Sequence, residues 1–220
     1  SHSTLNYNHK MQNKSIIPGG FKQHYAYLLI IPIFGIFALR AVSTVFTSVL
    51  SFDGAMNAQV AHNLATDFQY ATSYNSETDF DSRIQTGVPV ILPAAVLIKL
   101  FGATTESVLM ISALYLIALG FVILYYLRIC IRVDDAFLIP AILLLFGTPQ
   151  IYILGMGFLG EVPALFYFLV GLVFINRDDQ TPNGKYLFIA GGFLGVAILV
   201  KTVMLIAIPA VLFAVTFDFL

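Results

Sequence analysis

Two carboxylates, Asp53 and Glu161, occupy the positions at which acidic side chains of this sequence are best placed to do chemistry. Asp53 follows an apolar stretch that ends at Leu50, and Glu161 opens another apolar stretch. An ionisable group at the edge of a membrane-spanning segment is a functional candidate because its burial is costly. Two carboxylates at one site can act as a general base and as an orienting or charge-stabilising partner.

Three basic residues, Lys201, Arg83 and Arg40, are candidates to stabilise an anion beside those carboxylates. Their cationic side chains suit phosphate groups, whose negative charge must be balanced where water is excluded. For Lys201 and Arg40 the alternative is that each long side chain only carries its charge to the membrane surface.

The two carboxylates also have structural alternatives. Asp53 would cap a helix that starts there, and Glu161 would be stabilised by the helix dipole in a first turn. His62 is interpreted as a polar-face residue rather than a catalyst or ligand. No close cluster of His, Asp and Glu suggests a metal site, and a single cysteine, Cys130, excludes an internal disulfide. We therefore predict no cofactor.

The composition indicates an integral membrane protein. Of the 220 residues 10% are charged and 59% are hydrophobic, with a mean hydropathy of +0.88, whereas a soluble domain carries roughly a quarter charged residues. Several apolar runs approach the roughly 20 residues that cross a bilayer as a helix. We predict an all-α, polytopic transmembrane helix bundle. The net charge of −1, without a run of lysine or arginine, gives no indication of nucleic acid binding.

About six spans are expected after a cytoplasmic N-terminal tail, residues 1–24. The predicted spans cover residues 25–50, 107–127, 136–158 and 162–175, followed by two helices within 186–217. The last stretch must contain two helices, meeting near Lys201, because at about 1.5 Å per residue it is far longer than one crossing of about 30 Å. Residues 51–102 form a large first outer loop in this arrangement.

The apolar run at residues 88–98 is predicted to lie along the membrane surface rather than to cross it. It has eleven residues and contains Pro89 and Pro93, and runs this short are more often interfacial than spanning. This placement leaves the larger set of basic residues on the inner side, namely Lys10, Lys14, Lys22, Arg128, Arg132, Arg177 and Lys185. Because short cytoplasmic loops are enriched in such residues, Asp53 and Glu161 are both predicted at the outer surface.

The outer loop is acidic, and it begins with a predicted helix. Residues 51–85 contain five acids against Arg83, a net charge of −4. Of these acids we assign a catalytic role to Asp53 alone, since charge runs are usually solvated. Residues 53–65 predict an amphipathic helix suited to the membrane interface. Its apolar positions, at helical spacing, are Met56, Val60, Ala61 and Leu64.

Four motifs connect these elements. They are Asp53-Gly54 with Ala61-His62-Asn63-Leu64, then Gly87-Val-Pro through Lys99-Leu-Phe-Gly102, then Glu161-Val-Pro163, and then Val200-Lys201-Thr202. In this order the motifs resemble the membrane glycosyltransferases with a C-type (GT-C) fold, especially the relatives that include protein O-mannosyltransferases and aminoarabinose transferases. The resemblance extends from about Tyr25 to Phe217.

The resemblance implies an enzyme that transfers a hexosyl or pentosyl sugar from a polyprenyl-phosphate-linked donor to an acceptor at the outer or lumenal face. In this reading Asp53 and Glu161 are catalytic, and Lys201, Arg83 and Arg40 bind the donor phosphate. A bacterial inner membrane is expected rather than that of the endoplasmic reticulum. The partners are the lipid-linked donor, membrane lipids and an acceptor that the sequence does not identify.

The sequence departs from the family pattern at several positions. Gly54 stands where a second acid is common, Asn57 where tyrosine is usual, and His62 where arginine is usual. Thr86 replaces a lysine that contacts the lipid phosphate in better-matched relatives, and Arg83 is its candidate substitute. Because family members are longer, the chain is expected to be a fragment or an incomplete relative. The alternative hypothesis is a non-catalytic membrane protein, either a transporter or a scaffold subunit that keeps the helix arrangement.

Overall fold

A computed structural model describes residues 19–72, 84–180 and 184–217, and these ranges are helical with no β-strand. The α-helices, in chain order, are α1 (Gly19–Val45), α2 (Phe52–Asp67), α3 (Val88–Phe101), α4 (Thr105–Tyr125), α5 (Asp135–Gly147), α6 (Pro149–Met156), α7 (Glu161–Gln180), α8 (Lys185–Val200) and α9 (Ala207–Phe217). The all-α prediction is confirmed. The predictions for residues 1–18 and for Arg83 fall outside the described residues.

The chain is a membrane protein by the length and apolar character of its helices. Two described helices are long and apolar enough to cross a membrane, within Leu28–Val45 and Thr105–Cys130. The second continues α4 through one π-helical turn, Tyr126–Cys130. A third crossing is available if α5 and α6, which meet at 54°, form one broken span.

The segment predicted to cross at residues 136–158 consists of two helices that meet at 54°. The helix breaks between α5 and α6 at Thr148, whose backbone is extended. Pro149 explains the break, because its ring removes one backbone donor and disfavours helical backbone in the residue before it. Pro149 then serves as the first residue of α6, a position that tolerates proline.

The last apolar stretch divides at Lys201, as the sequence predicts. Helix α8 ends at Val200, and Lys201 has extended backbone angles (φ −147°, ψ 114°). A 3₁₀ turn, Thr202–Ile206, then leads into α9. The break carries the Lys201 side chain away from the axis of both helices.

Helix α3 contains a proline whose missing hydrogen bond is replaced from a neighbouring helix. Pro93 has no backbone donor for the carbonyl of Pro89, four residues earlier. The Tyr115 hydroxyl of α4 donates to that carbonyl at 2.9 Å. The same hydroxyl lies 2.8 Å from that of Tyr167, which must act as the donor because Tyr115 has used its proton. This chain of hydrogen bonds joins α7, α4 and α3.

Replacing Tyr115 with phenylalanine is expected to lower the free energy of unfolding by about 1–2 kcal/mol, because the Pro89 carbonyl would be left without its donor. Tyr167→Phe is the matched control: it also removes one hydroxyl but leaves the bond to Pro89 intact. Chemical denaturation of the purified protein in detergent would measure both variants. Equal losses in the two variants would contradict the role assigned to Tyr115.

Two clusters of buried side chains hold the helices together. The first joins α1, α4, α5 and α6, where Phe37 stacks on Phe146 with ring centroids 4.1 Å apart. The second joins α2, α3, α4, α7 and α8 and includes Phe158, which is 1% exposed. Helices α7 and α8 run in opposite directions, since Gly160 contacts Lys201 at one end and Phe174 stacks on Tyr186 towards the other. The second cluster supports the candidate site.

Helix α2 forms where the sequence predicts it, but its buried face is rotated relative to the predicted apolar face. Met56, predicted on the apolar face, is 39% exposed, whereas Asn57, which is not among the predicted apolar positions, is 8% exposed. Val60 and Ala61, also on the predicted apolar face, are buried. The rotation follows from a hydrogen bond that satisfies the Asn57 amide inside the protein, which is the condition for burying a polar group.

Candidate functional site

Three helix ends meet around a cavity of about 490 Å³. They are the start of α2, the start of α7 and the break that follows α8. The described residues that line it are Asp53, Met56, Asn57, Val60, Thr72, Ile84, Gln85, Thr86, Leu159, Glu161 and Lys201. Residues from five separate parts of the sequence thus line one cavity.

The start of α2 is held against the turn that precedes α7. Gly54 approaches so closely that an added Cβ would lie 2.1 Å from the carbonyl oxygen of Gly157. The Asn57 amide donates to the carbonyl of Phe158 at 2.9 Å, in a buried bond. Phe158 has a φ of 53°, uncommon for a residue with a side chain. Here its burial and the Asn57 bond hold it in place.

The loop before α3 is held against the end of α8. The Gly87 N–H donates to the carbonyl of Val200 at 3.0 Å. An added Cβ on Gly87 would lie 1.6 Å from the carbonyl oxygen of Leu199, so no larger residue fits. Gly160, just before α7, lies against the same segment, where its Cβ would be 3.2 Å from Val200 and Lys201 atoms. These close glycine contacts hold the backbone at Lys201 in position.

Lys201 and Glu161 form an ion pair in the cavity wall. Lys201 Nζ lies 3.0 Å from Glu161 Oε1, and the two side chains are 17% and 39% exposed. The second carboxylate oxygen, Oε2, is buried and has no hydrogen-bond partner. As the first residue of α7, Glu161 also lies at the positive end of the helix dipole. Glu161 therefore holds the Lys201 ammonium group at the cavity through Oε1, while its Oε2 accepts no hydrogen bond.

Asp53 lines the same cavity without taking part in this ion pair. It is the second residue of α2, and its side chain is exposed. The alternative that Asp53 caps the helix is wrong, because the Ser51 hydroxyl takes that role and accepts from the Gly54 N–H at 3.2 Å. The Asp53 carboxylate is therefore free of the capping role and open to a second molecule.

Of the other two predicted cations, one is described by the structure, and it lies away from this cavity. Arg40 does not line it, and its guanidinium carbon lies 4.1 Å from the centre of the Tyr152 ring. That arrangement is a cation–π contact, so the assignment of Arg40 to a phosphate site is not supported. Arg83 lies outside the described residues. His62 is exposed on α2 and does not line the cavity.

Two buried threonines and the exposed Gln85 also line the cavity, and of these the sequence singles out only Thr86. Thr86 is 3% exposed and Thr72 is 5% exposed, and both line the cavity together with Gln85. The Tyr70 hydroxyl donates to the Thr86 carbonyl, and burial raises the pKa of Tyr70 to about 12, so this donor keeps its proton at neutral pH. Thr72 and Gln85 carry no distinguishing signal, since polar residues in an acidic loop resemble solvated ones.

Among the described residues, no three His, Cys, Asp or Glu side chains lie close enough together to hold a metal ion. Comparisons of the chain with protein-family models, with curated proteins and with solved structures found no match.

Replacing Asn57 with leucine is expected to cost about 1–3 kcal/mol in the free energy of unfolding, because it leaves the buried Phe158 carbonyl without a donor. Gln59→Leu, two positions along the same helix and outside the cavity, is the control and should change stability by less than about 0.5 kcal/mol. Thermal unfolding in detergent would compare the two. The role of Asn57 is refuted if the two variants unfold at the same temperature.

Proposed function

We propose that this chain carries the active site of a membrane glycosyltransferase with a C-type fold. The enzyme would move a hexosyl or pentosyl group from a polyprenyl-phosphate carrier to an acceptor hydroxyl or amine. The observation that supports this proposal most is the presence, in one cavity, of the carboxylate of Asp53 and the ion pair of Lys201 with Glu161. Group transfer from a phosphate needs both a base and a cation.

In the proposed reaction Asp53 is the general base. The acceptor attacks the anomeric carbon of the sugar, and its proton passes to the Asp53 carboxylate. The bond between the anomeric carbon and the phosphate oxygen breaks, and its electron pair stays on the departing polyprenyl phosphate. The phosphate thereby gains one negative charge. Of the described residues that line the cavity, Lys201 alone is basic, and it would balance that charge.

Glu161 is given a different role from Asp53. Its Oε1 is engaged with Lys201, so the carboxylate is better suited to orienting that cation than to removing a proton. An oriented charge costs no reorganisation when the leaving group develops its own charge. Its Oε2 is buried, which also argues against direct contact between this carboxylate and the acceptor.

A donor tethered to the membrane requires a site at the membrane surface, and the proposed topology provides one. In this topology the chain has about six spans, a cytoplasmic N-terminus and the cavity at the outer face of a bacterial inner membrane. Helices α2 and α3 would form the juxtamembrane layer. The 14 residues of α3 and its exposed apolar positions Val88, Leu92 and Val96 suit such a place.

One observation favours the alternative, a non-catalytic membrane protein with the same helix arrangement. Thr86, at the position of the phosphate-contacting lysine of relatives, is buried and its backbone is bonded to Tyr70. The described cavity wall therefore offers one cation where the family pattern implies two. A scaffold subunit would keep the glycine contacts around the cavity and lose transfer.

The experiment measures transfer of labelled sugar from a polyprenyl-phosphate-linked hexose or pentose by the full-length protein in membranes. Asp53→Asn is expected to lower the rate by about 10²–10⁴, the usual contribution of a general base. Asp67→Asn is the control, since Asp67 ends the same helix, is exposed and bonds Thr66. Glu161→Gln is expected to reduce the rate as well, through Lys201. Undiminished transfer in both cavity variants would refute the assignment.

A further inference from the structure

A second cavity, of about 570 Å³, lies away from the candidate site and is lined mainly by apolar side chains. Its walls come from α1, α4, α5 and α7 and from the π-helical turn after α4, with Ile30, Phe121, Leu138, Val170, Val173 and Arg128 among the lining residues. Its volume is within the range of about 300–1,000 Å³ typical of ligand pockets. Nothing in the proposed glycosyl transfer uses it.

The cavity lies towards the opposite end of the bundle from Asp53. Helix α7 begins at the candidate site with Glu161, and Val170 and Val173 follow nine and twelve residues later. At about 1.5 Å per residue they lie roughly 14–18 Å further along the helix. Arg128 lies near the end of the apolar segment Thr105–Cys130. In the topology given under the proposed function, the cavity would therefore run from membrane depth to the membrane surface on the side opposite Asp53.

We propose that this cavity binds an anionic phospholipid, with an acyl chain against the apolar walls and the phosphate at Arg128. An apolar space at membrane depth is unfavourable for water, and filling it with methylene groups is stabilised by burial. Arg128 is the one basic residue among the described lining residues, and arginine binds phosphate in a fixed, two-pronged geometry.

The geometry around Arg128 supports a built site. Arg128 belongs to a π-helical turn, a local departure from the α-helix that is frequent at functional sites. Tyr125, one turn earlier, also lines the cavity, and its hydroxyl accepts from Arg177 Nη2 at 3.2 Å. This bond places a second guanidinium beside the wall.

The test measures lipid binding to the purified full-length protein by native mass spectrometry. Phosphatidylglycerol and phosphatidylcholine with identical acyl chains are the probes. Wild-type protein is expected to bind the anionic lipid about fivefold more tightly, the value of one basic residue near an anionic headgroup. Arg128→Gln should remove this preference, and Arg128→Lys should keep part of it. Glycerol phosphate, which has no acyl chain, should not compete.

Two control variants distinguish lipid binding in the cavity from general electrostatic attraction of anionic lipids to the protein surface. Arg132→Gln removes a neighbouring exposed cation that does not line the cavity, and it should leave the preference unchanged. Val173→Phe should fill part of the cavity and weaken binding of both lipids. Equal binding of both lipids by wild-type protein, equal effects of the two arginine variants, or occupation of the cavity by a second copy of the chain would each overturn the proposal. Sugar transfer is not measured, so this result is independent of the proposed enzyme.

Discussion

Replacing Lys201 with methionine is expected to lower the rate of sugar transfer by about 10²–10³, as the loss of one oriented charge-stabilising group does in other active sites. Methionine keeps much of the volume of the aliphatic chain but removes the charge that would balance the departing phosphate in the proposed reaction. The variant also frees Glu161 from its 3.0 Å ion pair. That change leaves a partly buried carboxylate without its cation, so part of the effect acts through the position of Glu161.

Two control variants accompany Lys201→Met. One removes a lysine outside the cavity, and the other keeps a positive charge at position 201. Lys99→Met removes a lysine that lies over the Phe68 ring, at 5.4 Å, and does not line the cavity. Its transfer rate should stay within about twofold of wild type, in line with small effects of exposed charges. Lys201→Arg should restore part of the rate, because the positive charge returns. A Lys201→Met enzyme as fast as Lys99→Met would contradict the account.

Replacing Gly87 with alanine is expected to cost about 3 kcal/mol in the free energy of unfolding, at the upper end of the range for overpacking. The backbone angles of Gly87 (φ −80°, ψ 167°) suit any residue, so the cost comes from contact alone. The new Cβ would lie 1.6 Å from the Leu199 carbonyl oxygen and 2.6 Å from its carbon. These are backbone atoms, so the loop must move away from α8, and overpacking of this kind typically costs about 1–3 kcal/mol or more. The Gly87 bond to Val200 would be lost with it.

The control for Gly87 is a glycine of the helix that it touches. Gly191 lies within α8, and a Cβ added there would meet no atom within 4 Å. Gly191→Ala is expected to stabilise the helix slightly, by about 0.5–1 kcal/mol, because alanine is the better helix former. Thermal unfolding of both variants in detergent would compare them. A Gly87→Ala protein that unfolds at the wild-type temperature would show that the contact with α8 is not close.

Much of the helical arrangement could be predicted, because it depends on signals that lie close together in the sequence. The helix after Leu50, the helix that contains Pro93 and the break at Lys201 are all found. Run length, proline positions and the limit that a bilayer sets on helix length are sufficient to predict these. The gathering of Asp53, Glu161 and Lys201 around one cavity agrees with the sequence prediction that all three lie at one face.

The structural details that the sequence does not predict depend on contacts between segments that are distant in the sequence. Asn57 is buried because a carbonyl 101 residues away needs its amide, and no local pattern reports this bond. No side chain fits at Gly54, because the Gly157 backbone lies against it. The position of Arg40 in the sequence predicts a phosphate-binding cation, whereas its guanidinium contacts the face of an aromatic ring from α6. These are packing effects, and they appear only once the helices are brought together.

The most direct test of the account is equilibrium binding of synthetic polyprenyl phosphate, the proposed leaving group, because it requires neither the sugar nor the acceptor. The full-length protein in detergent is titrated with this lipid and with the uncharged polyprenol of the same length. We expect wild-type protein to prefer the phosphate at least about tenfold, as a charge-assisted contact of about 1.4 kcal/mol would give. We expect Lys201→Met to lose that preference while Lys99→Met keeps it. Equal binding of the phosphate and the alcohol by wild-type protein would contradict the proposed site.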